Sequence, residues 1–182
     1  MTDDATKMEK MKTDISCAYF AKVKKYHASG MPWDETCCEI AAGYGRLEIL
    51  SYLHKNGCPW DKTTCESAAQ NGHIDCLKYA NENGCPWDKT IAYATSESGL
   101  LYVETYADAE DHLECLKYAH KNGCFWDAGT TLSAVENSRL ECLKYAYENG
   151  CPIDKEECLA TANHLSQDKN DCKIVNYITS IL

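Results

Sequence analysis

Cysteine is the side chain in this sequence with the most chemistry to offer, at 13 of 182 residues. A thiolate can hold zinc or exchange with a disulfide, so the spacing of the thiols decides which chemistry is open. Cys58, Cys85, Cys124 and Cys151 each follow a Gly, while Cys76, Cys115 and Cys142 each precede Leu-Lys-Tyr-Ala. Residues that recur with such regularity are packing residues, and cysteine serves as a small hydrophobe in cores. No Cys-x-x-Cys pair occurs, and Cys37-Cys38 is the only tight pair. Zinc sites show paired ligands at short spacing, so no metal site is predicted. A cysteine-based metal or redox protein remains the lesser alternative.

The other reactive residues follow the same rule. His27, His54 and His120 share one repeat position near a helix end, where a cation suits the helix dipole. Trp33, Trp60, Trp87 and Trp126 are spaced by 27, 27 and 39 residues, and Ile153 stands another 27 on. Two uses fit these indoles: a ladder that grips a peptide, or wedges between neighbouring units. The aliphatic Ile153 favours the wedges. No Gly-rich phosphate loop, Gly-x-Ser-x-Gly or His-Glu-x-x-His motif is present. The chain is expected to be no enzyme, with no catalytic residue and no cofactor.

What positions these residues is a repeat. Asn-Gly-Cys-Pro-Trp-Asp at 56–61 returns at 83–88, as Asn-Gly-Cys-Phe-Trp-Asp at 122–127 and as Asn-Gly-Cys-Pro-Ile-Asp at 149–154, with a divergent copy, Ser-Gly-Met-Pro-Trp-Asp, at 29–34. The period is 27 residues, broken once by 12 extra. A period of this size marks a solenoid, in which each unit buries its apolar face only against its neighbours. Within residues 61–87, Asp61 suits an N-cap, Ala68-Ala69 permits close helix approach, and a first helix ends near Gly72. A second helix from about Ile74 to Glu82 carries Ile74, Leu77 and Ala80 on one stripe. Gly84 then ends it and Pro86 stops its continuation. Asp34, Asp88, Asp127 and Asp154 repeat the cap, and Asp154 with Glu157 forms an acidic capping box. The predicted fold is an all-α solenoid of helix-turn-helix units.

The domain reading follows from that register. Residues 1–13 are expected to be a flexible tail. Residues 14–182 form the repeat domain: a lone second-type helix over about Ser16 to Ala28, about five repeats, the 12-residue insertion within 95–110 and a divergent last unit. A formal charge of -10 and a pI near 5.0 oppose binding along nucleic acid or an anionic membrane. No signal peptide or apolar span is seen, so an intracellular, soluble protein is expected.

The segments Thr63-Thr-Cys-Glu-Ser-Ala-Ala-Gln-Asn-Gly-His-Ile-Asp-Cys-Leu and Thr36-Cys-Cys-Glu-Ile-Ala-Ala-Gly-Tyr-Gly-Arg-Leu-Glu-Ile-Leu resemble the ankyrin repeat. The match extends over about residues 14–182. Cys-Leu-Lys-Tyr-Ala joined to Asn-Gly-Cys-Pro-Trp-Asp is similar to the short arrays abundant in giant DNA viruses of amoebae, which would place the protein in a host cytoplasm. The family's Thr-Pro-Leu-His tetrapeptide is replaced by Thr63-Thr64-Cys65-Glu66, and about six residues of its β-hairpin finger are absent. The resemblance implies an ankyrin-like solenoid with shortened or absent β-hairpin fingers that binds a protein partner, with recognition moved to the first helices.

Side chains that change between units are the candidates for that recognition. The series Glu39, Glu66, Tyr93, Leu132 and Leu159, the series Gly43, Gln70, Glu136 and Asn163, and Tyr44 beside a turn vary most. The insertion adds Tyr102 and Tyr106, because additions to one repeat often fall on the binding face. The partner-binding set is Glu39, Tyr44, Glu66, Gln70, Tyr93, Tyr102, Tyr106, Leu132 and Glu136. A protein-interaction scaffold is the leading function; a structural subunit that self-associates is the alternative.

Overall fold

The computed structural model describes residues 2–88, 90–95, 109–165 and 169–181. Among them the chain forms twelve helices and no strand. These pair in sequence as α1 (Thr2–Ser16) with α2 (Phe20–Ala28), α3 (Glu35–Gly43) with α4 (Leu47–Lys55), and α5 (Lys62–Gln70) with α6 (Ile74–Glu82). The series continues as α7 (Thr90–Ala94) with α8 (Ala109–Lys121), α9 (Ala128–Glu136) with α10 (Leu140–Glu148), and α11 (Lys155–Leu165) with α12 (Lys169–Ser180). Odd-numbered helices pack in one row and even-numbered helices in a second. This is the all-α solenoid the 27-residue period requires.

The helices are mostly nine residues long. Segments of that length are marginal alone in water, so each is held by the core between the rows. Leu50, Leu77, Leu116 and Leu143 at the centres of the even helices are fully buried. Ala41, Ala42, Ala68 and Ala69 are fully buried where α3 meets α5, and these small side chains let the two axes approach. At each joint a left-handed Gly closes the helix: Gly57 (φ 80°) donates to His54 O at 3.0 Å, and Cys58 donates its backbone N–H to Leu53 O at 3.0 Å.

The segment expected to be a flexible tail over residues 1–13 is instead helix α1. Met11 and Ile15 are fully buried against α2 and α3. Met8, Met11 and Ile15 are spaced i, i+3, i+7, the stripe of a core-facing helix, and Met11 and Ile15 keep the repeat register one unit upstream of Cys38 and Ala42. The lone helix over Ser16 to Ala28 is likewise two elements: α1 ends at Ser16, Ala18 takes φ 59°, and α2 begins at Phe20. Asp14, 4% exposed at the position of Ala41, fixes α1 to α2. It accepts from Lys22 Nζ at 2.8 Å and Tyr26 Oη at 2.7 Å. Burial pushes its carboxyl up, but those two hydrogen bonds together with the charges of Lys22 and Lys10 outweigh burial and hold it below the ordinary value.

The N-caps also differ from expectation at one copy. Asp61 and Asp127 accept from the backbone N–H of Thr63 and Gly129, each at 2.9 Å, and Asp154 accepts from Glu157 N at 3.0 Å. Asp34 makes no such backbone bond. Its carboxylate is taken by the Thr36 hydroxyl and by Lys12 Nζ at 3.4 Å, a cation supplied by α1.

Candidate functional site

The repeated reactive residues meet across units. In three copies an imidazole Nδ1 lies within hydrogen-bond distance of the tyrosine hydroxyl 25 residues on: His27 with Tyr52 at 2.9 Å, His54 with Tyr79 at 3.0 Å and His120 with Tyr145 at 3.0 Å. Asn81 occupies the same position in a fourth copy and donates to Tyr118 Oη at 3.1 Å, and Tyr147 occupies it in a fifth. Each histidine also lies on the tryptophan of its own joint, most closely His54 on Trp60 with centroids 3.8 Å apart and planes 12° apart. Trp33, Trp60 and Trp126 in turn meet the same tyrosines edge-on at 6.2–6.3 Å. Trp, His and Tyr thus form a clasp between successive even helices, and the indoles are wedges. The histidines, in the last turns of α2, α4 and α8, are members of this clasp.

The thiols have a parallel use. Cys58, Cys85, Cys124 and Cys151 donate their S–H groups to the backbone carbonyls of Asp34, Asp61, Asp88 and Asp127 at 3.0–3.3 Å. Each joint is therefore tied to the joint before it. Among the described residues twelve cysteines are free, and all of those but Cys17 are buried. Burial pushes the thiols of Cys76 and Cys151 up to about 12 and that of Cys142 up to about 11, so they stay protonated and unreactive at neutral pH. Among the described residues no group of three or more His, Cys, Asp or Glu side chains converges to hold a metal ion.

A third ladder was not foreseen. Arg46 Nε donates to Ser16 O at 2.9 Å, an imidazole nitrogen of His73 reaches the Gly43 carbonyl, and His112 Nε2 lies 3.1 Å from Gln70 O. Each of the three holds one register position at or near the start of an even helix and closes the carbonyl end of the odd helix one unit back. Arg46, His73 and His112 thus tie each even helix to the end of the odd helix one unit back. The usable signal was the recurrence of a basic or imidazole residue at that register position, as Arg46, His73, His112 and Arg139, at spacings of 27, 39 and 27.

With those roles assigned, the variable positions line the odd row. Lys12, Glu39, Glu66, Tyr93, Leu132 and Leu159 hold one register position on α1, α3, α5, α7, α9 and α11. All six are half-buried. The ridge is charged on α1 to α5 and uncharged from α7 onward. Burial, the Asp61 carboxylate and then Glu66 push the Glu39 carboxyl up, against a hydrogen bond to Ser67. Lys62 Nζ answers Glu66 at 3.2 Å and Asp88 at 3.5 Å. Gln70 is half-buried at the end of α5, Glu136 is exposed at the end of α9, and Tyr44 is half-buried just past α3.

Tyr93 has a structural task as well. Its hydroxyl donates to Asp127 Oδ1, and its ring lies where a Cβ on Gly129 would stand, 2.8 Å from Tyr93 Cε1. Tyr102, Tyr106 and nearly all of the 95–110 insertion lie outside the described residues.

Among the described residues no helix is long and apolar enough to cross a membrane. Comparison with curated proteins finds no match. The family model described as Ankyrin repeats (many copies) matches residues 36–81, the stretch from α3 to α6. That match and the helical solenoid around it support an ankyrin-repeat protein.

Proposed function

We propose that the protein is a non-catalytic interaction module that holds a protein partner against the odd-helix row, through Glu39, Glu66, Leu132 and their neighbours Tyr44, Gln70 and Glu136. Ankyrin repeats generally mediate protein–protein interaction. The observation that carries the reading is the division of labour in the repeat. Trp, His, Tyr and Cys recur and are consumed between units, while one half-buried position on each odd helix changes chemistry from unit to unit. A surface that varies over a fixed scaffold is suited to recognition rather than to packing. The protein is read as working inside a cell, where its free thiols stay reduced.

Affinity capture from the native cell tests this with three baits: the natural chain, a ridge variant carrying Glu39→Lys and Leu132→Asp, and an even-row control carrying Lys144→Ala. A partner retained by the natural chain and the control but lost by the ridge variant supports the reading. A partner retained equally by all three baits contradicts it.

A further inference from the structure

The first hairpin departs from the repeat at the positions that, elsewhere, tie one unit to the unit before it. Lys7 stands where Asp34, Asp61, Asp127 and Asp154 precede their helices. Met31 stands where Cys58, Cys85, Cys124 and Cys151 donate to a carbonyl, and Lys25 stands where Tyr52, Tyr79 and Tyr145 close the clasp. The α1 helix also continues back to Thr2, whereas α3, α5 and α9 are entered directly from a Pro-Trp-Asp or Phe-Trp-Asp loop.

These changes leave a groove of about 860 Å³ between α1 and the end of α2. Met8, Tyr26, Met31 and Pro32 line it with apolar surface, and Lys7 and Lys10 stand on its rim. Both lysines are exposed and the two methionines are half-buried. Methionine is flexible and polarisable, so such a floor adapts to aliphatic or aromatic side chains.

Charge decides what fits. Residues 1–30 hold six lysines against four carboxylates, whereas residues 31–182 hold twelve cationic side chains against twenty-four carboxylates. The first hairpin is a basic end on an acidic solenoid. A basic segment would be drawn to the remainder of the chain, and an acidic one would be repelled there and steered here.

We propose that this groove is a second docking site, distinct from the odd-helix ridge, for an acidic segment of a protein partner that seats apolar side chains on Met8 and Met31 and carboxylates against Lys7 and Lys10. Met8, Met31, Lys7 and Lys10 come together in the first hairpin, and the groove there takes one such segment.

The test uses the full chain with isotope-labelled methionine methyl groups and a short synthetic peptide of glutamate and leucine, with a lysine and leucine peptide as its counterpart. The acidic peptide is expected to shift the Met8 and Met31 methyl signals while leaving fully buried Met11 in place. Lys7→Glu with Lys10→Glu is expected to weaken that binding at least about tenfold, and added salt is expected to weaken it further. The ridge variant Glu39→Lys with Leu132→Asp is expected to bind the peptide unchanged, which separates this site from the ridge. The proposal is overturned if the acidic peptide leaves those two methyl signals in place, if the lysine reversal has no effect, or if the basic peptide shifts the same signals. It is also overturned if sedimentation shows the chain alone assembling in a way that the lysine reversal abolishes, since the groove would then hold a second copy.

Discussion

Tyr93 and Gly129 share one space: a Cβ at residue 129 would lie 2.8 Å from the Tyr93 ring, whose hydroxyl is bonded to Asp127. Thr36 and Thr63 occupy the position of Gly129 in units where the ridge residue one helix back is Lys12 or Glu39, so the bulky ridge residue and the missing side chain go together. Gly129→Ala would ordinarily favour a helix, yet here it is expected to destabilise by about 1–2 kcal/mol through overpacking. In a Tyr93→Glu background the same change is expected to be neutral or stabilising. Chemical denaturation of the four proteins in that cycle measures the coupling, and additive effects would show that the two residues do not compete.

Helix α1 gives a second test. Met11→Ala is expected to cost about 2–4 kcal/mol, because a fully buried methionine leaves a cavity between α1, α2 and α3. A flexible tail over residues 1–13 would leave the denaturation midpoint unmoved.

Much of this was legible in the sequence for one physical reason. A 27-residue period forces each unit to bury the same face, so Gly57, Cys58, Trp60 and Asp61 could be placed at a joint without coordinates. Two kinds of feature were hidden. In α1 the core stripe of Met8, Met11 and Ile15 was masked by Lys7, Lys10, Lys12 and Asp14, where the next two odd helices carry Cys37 and Thr64 in place of Lys10 and Ala41 and Ala68 in place of Asp14. The His54–Tyr79 bond lies between units, and recurrence shows that each partner repeats but not that they meet. The tyrosine stands 25 residues after the histidine in three copies, two short of the period, which places it about half a turn back on the next even helix.

The clasp itself should be measurable. Tyr79→Phe removes the hydroxyl that meets His54 Nδ1 and is expected to cost about 1 kcal/mol. Trp60→Ala is expected to cost more, about 2–3 kcal/mol, since it loses stacking on His54 and the edge contact with Tyr79 together. A double-mutant cycle on His54 and Trp60 is expected to show a coupling of about 1 kcal/mol. Additivity would mean that the indole packs independently of the imidazole.

Alkaline pH provides a fourth test. The folded thiols of Cys76 and Cys151 ionise only near about 12 and that of Cys142 near about 11, and the Tyr93 hydroxyl is raised to about 12 by burial and then by Asp127. A folded pKa above the unfolded one means stability that is complete below the unfolded value and lost as pH rises through the folded one. Unfolding free energy should therefore be level from about pH 7 to 8 and fall between about 9 and 11, by roughly 1–2 kcal/mol for each such thiol at about pH 10. Replacing Cys142 by Ala is expected to flatten part of that fall. A thiol reagent at neutral pH is expected to label Cys17 quickly, and Cys76, Cys115 and Cys142 only on unfolding.

Hydrogen exchange on a purified complex tests the central claim most directly. Once a partner has been captured, amide exchange of the chain alone is compared with exchange in the complex. The account predicts added protection concentrated in α3, α5 and α9, the odd helices that carry Glu39, Glu66 and Leu132, with α4, α6 and α10 little changed. Protection falling instead on α4, α6 and α10, with the odd helices unaffected, would contradict it.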